Sequence, residues 1–108
     1  MPQQVADRRD QDFVIWEQMN CEEILKHETY HEFNKKTCDM IITEARALAV
    51  KELLPLLAEG DEQGVHFDAG VVRVPQSFHR VYKLIQEGEW NNLGVPQEMG
   101  GQGTPAFV

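Results

Sequence analysis

Two stretches of this chain hold residues whose types and spacing could do chemistry. The first is His27-Glu28-Thr29-Tyr30-His31, which matches H-E-x-x-H. In that pattern two imidazoles at i and i+4 on one helix face hold Zn²⁺. The glutamate between them acts as general base on the metal-bound water. A third ligand would come from about one long helix further on, at Glu44 or Glu52. The surroundings argue against this use. Lys26 precedes the motif and Glu32 follows it, whereas such a motif lies in a largely uncharged, buried helix. Thr29 with Glu32 also reads as a capping box. A helix that starts at Thr29 breaks between the histidines and takes them off a common face. The expected role is an exposed polar connector. The alternatives are a small zinc metallopeptidase using His27, Glu28 and His31, and a stand-alone helical protein-interaction module.

The second stretch is Gly88 to Pro105, GEWNNLGVPQEMGGQGTP. Gly88, Gly94, Gly100, Gly101 and Gly103 permit positive φ or close backbone approach. Pro96 and Pro105 fix φ and disfavour helix just before themselves. Backbone N–H groups of such a loop can bind phosphate, but that arrangement needs a helix N-terminus after the loop. The last residues, Ala106, Phe107 and Val108, are apolar, where chain ends are usually polar; the polypeptide is expected to continue.

Other candidates have blander readings. Phe13 and Trp16 could stack on a ligand, but core or subunit contact is expected. Cys21 in a first helical turn could be reactive, but a passive small hydrophobe is expected. Asp61 and Glu62 could work as an acid–base pair, yet nothing buries them and a solvated turn is expected. His66 should be an exposed strand residue and His79 a half-buried one.

The elements that position these residues follow from periodicity. Phe13, Trp16 and Met19 put a first helix at about 10–19. Asn20 with Glu23 predicts a capped short helix over 21–26. A long helix starts at Asn34 or Thr37 and runs to about Leu54, with an apolar stripe through Ile41, Ile42, Ala45, Leu48, Ala49 and Leu53. Met40 beside it is expected in the core. Pro55 should end or kink this helix, and Glu59-Gly60-Asp61 should break it. Val65–Phe67 and Val72–Val74 alternate around Asp68-Ala69-Gly70, which predicts a hairpin packed as a flap on the helices. Pro75 suits the first turn of a last helix carrying Phe78, Val81, Tyr82 and Ile85, and Gly88 its C′ position. Trp90 and Leu93 should fold back on that helix. The fold expected is mostly α: a helical bundle fragment with a small β-hairpin between the long helix and the last one. Residues 1–9 are expected to be a flexible N-terminal segment and 10–108 a partial domain.

Composition narrows the partners. The 18 acidic against 10 basic residues give a net charge of −8, which excludes nucleic-acid backbone and anionic membrane as main partners. MPQQVADRRD has no apolar core of the kind a signal peptide needs. Cys21 and Cys38 are not in C-x-x-C spacing, and free thiols in a reducing cytoplasm are expected.

The glycine stretch also carries a family resemblance. Gly88, Trp90, Leu93, Pro96, Glu98, Gly100, Gly101 and Gly103 fall on a pattern in which a helix ending in a Gly-Trp-like pair leads into Pro-Glu-Glu-x-Gly-Gly-x-Gly. This resembles the N-terminal helical domain of flavin-dependent acyl-CoA dehydrogenases, in the subfamily with an extended N-terminus. Glu89 is an insertion, and Gln97 stands where an acid is common. The resemblance runs from about Phe13 to Pro105. It implies that Pro96, Glu98, Gly100, Gly101 and Gly103 form a structural loop, and that neither the catalytic base nor the flavin site lies in this chain. It implies FAD, acyl-CoA and an electron-transfer flavoprotein for a full-length homo-oligomeric enzyme, with no cofactor on this chain. The chain would dock on the remainder of the dehydrogenase and be inactive by itself.

Overall fold

The computed structural model describes residues 5–108, and the element order is that of a mostly α chain with one hairpin. Of the N-terminal segment expected to be flexible, residues 1–4 lie outside the described residues. Asp7 caps helix α1, Arg8–Asp12, its carboxylate accepting from the N–H groups of Arg9 and Asp10. The helix runs on as a wider π-helical turn, Phe13–Gln18. Asn20, expected to cap the next helix, does not: it sits in the left-handed region with no side-chain cap. Asparagine tolerates that conformation better than most residues, so it serves as the hinge instead. Beyond it come two 3₁₀ turns, Cys21–Lys26 and Glu28–Tyr30.

Asn34 starts the long helix α2, Lys35–Leu48, its side chain accepting from the Thr37 N–H at 2.8 Å. The helix does not stop at Pro55. It widens to a π turn at Ala49–Leu53, tightens to 3₁₀ at Leu54–Leu56 and resumes as α3, Leu57–Gln63. Proline lacks an N–H and its ring crowds the preceding turn. Changing the ladder from wide to tight at this point lets the chain go on without a sharp break. Glu59-Gly60-Asp61 is therefore helical, contrary to expectation. Glu59 accepts from the Ser77 hydroxyl at 3.1 Å, tying α3 to the last helix. The helix ends at Gly64, at φ +66°.

Strands β1, His66–Asp68, and β2, Val71–Arg73, pair antiparallel with Phe67 opposite Val72. The two-residue turn holds Ala69 and Gly70 both at positive φ, as a type I′ turn requires. The expected packing of the hairpin on the helices is not found: every strand residue is exposed, Phe67 at 76%.

Helix α4, Ser77–Glu87, starts after Pro75 rather than on it. Gly88 follows at φ −81°, and the left-handed residue is Glu89, the insertion. Gly88 is needed for approach, since a Cβ there would lie 2.7 Å from the Trp90 ring nitrogen. Trp90 folds back against the helix end in this way. Arg80 donates to Glu52 at 2.6 Å, which holds the Glu52 carboxyl below its ordinary 4.5. That tie is complete above the ordinary carboxylate range and lost as pH falls through the lowered value.

The core is small. Cys21, Leu25, Cys38, Ile42 and Val81 are the buried hydrophobic residues among those described. Both cysteines are free, and burial pushes the Cys38 thiol above its ordinary value. Met40, expected inside, is 60% exposed. The molecule is a slab of 52 × 41 × 18 Å with a radius of gyration of 17.2 Å. A compact domain of this length has about 13 Å.

The left-handed Ala69 carries a steric cost that asparagine lowers, and Asn-Gly is the preferred type I′ pair. Ala69→Asn is expected to raise amide-exchange protection of the hairpin N–H groups several-fold while leaving the melting temperature unchanged. A shifted melting temperature would show that the hairpin is coupled to the core.

Candidate functional site

The loop after α4 is built almost wholly from its own backbone. The 3₁₀ turn Trp90–Asn92 and the turn Gln97–Met99 fold the chain so that 101–104 runs back beside 92–96. The Pro96 carbonyl accepts from both Met99 and Gly101, each at 3.0 Å. Gln102 donates to Asn92, Gly103 to Val95 at 2.9 Å and Thr104 to Leu93 at 3.0 Å. Gly100 and Gly103 take positive φ, at +88° and +66°. At Gly101 the reason for glycine is contact: a Cβ would drive into the Val95 carbonyl group. Pro96 and Glu98 are exposed, and Thr104 and Pro105 are buried beneath the loop.

Two side chains lock the loop to what surrounds it. Gln102 Nε2 donates to the carbonyl of Glu89 at 3.2 Å, supporting the left-handed insertion. Gln97 Nε2 donates to Glu32 at 2.8 Å, across 65 residues of sequence. An acid at 97 would face the Glu32 carboxylate, so the amide fits this partner. Neither tie was legible in the sequence, which marks such pairs only by residues that can hydrogen-bond.

The loop does not form a phosphate cradle. The N–H groups of Met99, Gly100, Gly101, Gln102, Gly103 and Thr104 all point to carbonyls of the chain itself. Nothing is left of the glycine run to receive a dinucleotide pyrophosphate. These six N–H groups are therefore not available to a phosphate.

A second cluster, missed by sequence reasoning, centres on Asp39. Its carboxylate accepts from Trp16 Nε1 at 3.0 Å and Lys35 Nζ at 3.0 Å, with Arg8 at 3.5 Å. Arg8 also donates to Thr43 at 2.7 Å, and the Lys35 ammonium lies 5.1 Å from the Trp16 ring centre. The other edge of Trp16 meets Phe107, with ring centres 5.7 Å apart and planes at 82°. The chain beyond the glycine loop is thus held against α1 and α2. Trp16 is a packing residue here, not an open stacking platform.

The H-E-x-x-H residues do not share a helix. His27 is extended, at ψ 141°, and its ring accepts from the Thr29 N–H at 3.2 Å. The cap is therefore His27 rather than Thr29, and the break falls at His27 itself rather than between the histidines. His31 Nδ1 lies 3.0 Å from the Glu28 carbonyl, to which it donates. Among the described residues no group of three His, Cys, Asp or Glu side chains is gathered as a metal centre would need. Asp61 and Glu62 are exposed on α3, and His66 is exposed on β1. Among these residues no helix is long and apolar enough to cross a membrane.

An apolar groove of about 590 Å³ lies between the Leu53–Leu57 segment and α4. Leu53, Leu57, Phe78, Tyr82 and Ile85 line it, with Val74 at the foot of the hairpin and His79 at the rim.

No family model matches the chain. It is 26% identical over 102 residues to a broad-specificity linear acyl-CoA dehydrogenase of Mycobacterium tuberculosis, covering 93% of this chain and 17% of that protein. It is 26% identical over 103 residues to a 3-methylmercaptopropionyl-CoA dehydrogenase of Ruegeria pomeroyi, covering 95% of this chain and 18% of that one. Along nearly its whole length the chain is thus similar to one segment of each of two acyl-CoA dehydrogenases. It spans less than a fifth of the length of these curated relatives. Less than a tenth of this chain lies outside either match, so each takes in at least part of the stretch from Gly88 to Pro105.

Gly101 and Gly94 give opposite expectations. A methyl at 101 meets backbone, which cannot move aside, whereas one at 94 meets nothing within 4 Å. Gly101→Ala should destabilise by about 2 kcal/mol or more, with loss of exchange protection at Gly103 and Thr104. Gly94→Ala should be close to neutral. Asp39→Ala leaves the half-buried Trp16 N–H without its acceptor, which costs about 1–3 kcal/mol. The Trp16 fluorescence should shift with it; an unchanged spectrum and melting temperature would remove Asp39 from the account.

Proposed function

We propose that this chain is the N-terminal helical domain of an FAD-dependent acyl-CoA dehydrogenase and is inactive by itself. The reaction of the full-length enzyme would be α,β-dehydrogenation of an acyl-CoA thioester. A base outside these 108 residues would remove the Cα proton, and FAD bound by the complete enzyme would supply the hydride acceptor, with an electron-transfer flavoprotein as its electron partner. The parent enzyme would be a cytoplasmic homo-oligomer.

The observation that carries this reading is the similarity to two acyl-CoA dehydrogenases along nearly the whole chain. The loop geometry supports a structural share in that enzyme. Its glycines serve backbone contacts inside the chain, and Glu98 is exposed with no base-like environment. The base and the flavin site would come from other parts of the parent polypeptide. What this domain contributes is rigidity: the Gln97–Glu32 and Gln102–Glu89 bonds fix the loop, and the Trp16–Phe107 contact fixes the direction in which the chain leaves it.

The test compares the 108-residue chain with the complete polypeptide from its source. The complete polypeptide is expected to purify with bound flavin and to reduce an artificial electron acceptor when given acyl-CoA thioesters. The 108-residue chain should do neither. Acyl-CoA oxidation by the short chain, or a complete polypeptide that binds no flavin, would overturn the proposal.

A further inference from the structure

A polar pocket of about 280 Å³ lies between the Glu28–Tyr30 turn and the glycine loop. Thr29 and Tyr30 line it from the turn, and Gln97, Glu98, Gly103 and Thr104 from the loop. Thr104 is the buried polar residue among those described, at 7% exposure, and its hydroxyl has no hydrogen-bond partner among them. Its backbone N–H is spent on the Leu93 carbonyl at 3.0 Å, so the residue is held in place while the hydroxyl is left over. A buried hydroxyl without a partner is costly, and a ligand that pairs with it recovers that cost.

The lining decides what kind of ligand that is. Its amide donors are already used: Gln97 Nε2 on Glu32 at 2.8 Å, and the Gly103 and Thr104 N–H groups on carbonyls at 2.9 and 3.0 Å. What remains is oxygen, in the hydroxyls of Thr29, Tyr30 and Thr104 and the carboxylate of Glu98. No lysine, arginine or histidine lines the pocket, and Glu32 adds a second carboxylate beside Gln97. Such a lining repels an anion and attracts a cation that carries hydrogen-bond donors. The pocket has room for many times one water, so a bare metal ion would leave most of it empty. A guanidinium meets both conditions. It has five N–H donors and no acceptor, pairs with a carboxylate through two parallel bonds, and stacks on aromatic rings, of which Tyr30 is the one in the lining. It is also less strongly hydrated than an ammonium, which suits a half-enclosed site.

We propose that this pocket binds a guanidinium group, with Glu98 pairing its charge, Tyr30 packing on its plane and the Thr104 hydroxyl accepting one of its N–H groups. A free guanidino compound and an arginine side chain present the same chemistry. The inference does not rest on the dehydrogenase reading.

Amide NMR of the chain during titration with methylguanidinium chloride tests it. Saturable shifts are expected at Thr29, Tyr30, Gly103 and Thr104. Sodium chloride at the same ionic strength and uncharged methylurea should give none that saturate, and methylammonium should bind more weakly. Glu98→Gln, at an exposed site, should weaken binding at least about tenfold, and Thr104→Val about fivefold. Glu62→Gln, exposed on α3 and outside the pocket, should leave it unchanged. A glycyl-arginyl-glycine peptide with blocked ends separates the two sources. Tighter binding than methylguanidinium assigns the pocket to an arginine of a protein segment, equal binding to a free guanidino compound, and both support the proposal. Shifts that never saturate, that sodium chloride or methylurea reproduces, or that Glu98→Gln leaves intact overturn it.

Discussion

The constraint behind this structure is a shortage of buried surface. A slab 18 Å thick is about two helix layers deep, so nearly every apolar stripe has one covered side at most. Only Cys21, Leu25, Cys38, Ile42 and Val81 are buried hydrophobic residues among those described. Polar ties compensate. Asp39 joins α2 to Arg8 of α1 and to Trp16, Glu59 joins α3 to α4, and Glu52 of the Ala49–Leu53 turn meets Arg80 of α4. Exposed ion pairs contribute at most about 1 kcal/mol each, so these ties orient the helices more than they stabilise them.

This thinness and the satisfied loop belong to one account. A free-standing binding loop keeps donors free for a ligand. Here the loop closes on itself and the apolar faces are left open instead. What the domain offers its surroundings is hydrophobic surface in a fixed geometry.

Much of the fold was legible in the sequence. The order of elements, the Asn34 start of α2, the hairpin with Gly70 in its turn and the amphipathic α4 all follow from caps and periods. At Asn20 and Gly88 the expected cap geometry is not taken, and at Pro55 the ladder changes as expected while the chain stays helical. Asn20 became a left-handed hinge, Pro55 was absorbed by a change of helix pitch, and Glu89 took the left-handed position expected of Gly88. The hairpin was predicted as a flap because its apolar residues imply a partner; its partner is not in this chain's helices. The Asp39 cluster and the Gln97–Glu32 bond were illegible because they join residues far apart in sequence. The glycine loop was the reverse: its backbone demands leave few residue choices, and its composition displays them directly.

The central claim is that this chain is a domain of a flavoenzyme several times its size. The most direct measurement is the mass of the native polypeptide, detected in extract of the source with an antibody raised against this domain. The account predicts a band several times heavier than 12.4 kDa. A band at 12.4 kDa and none above it would contradict it.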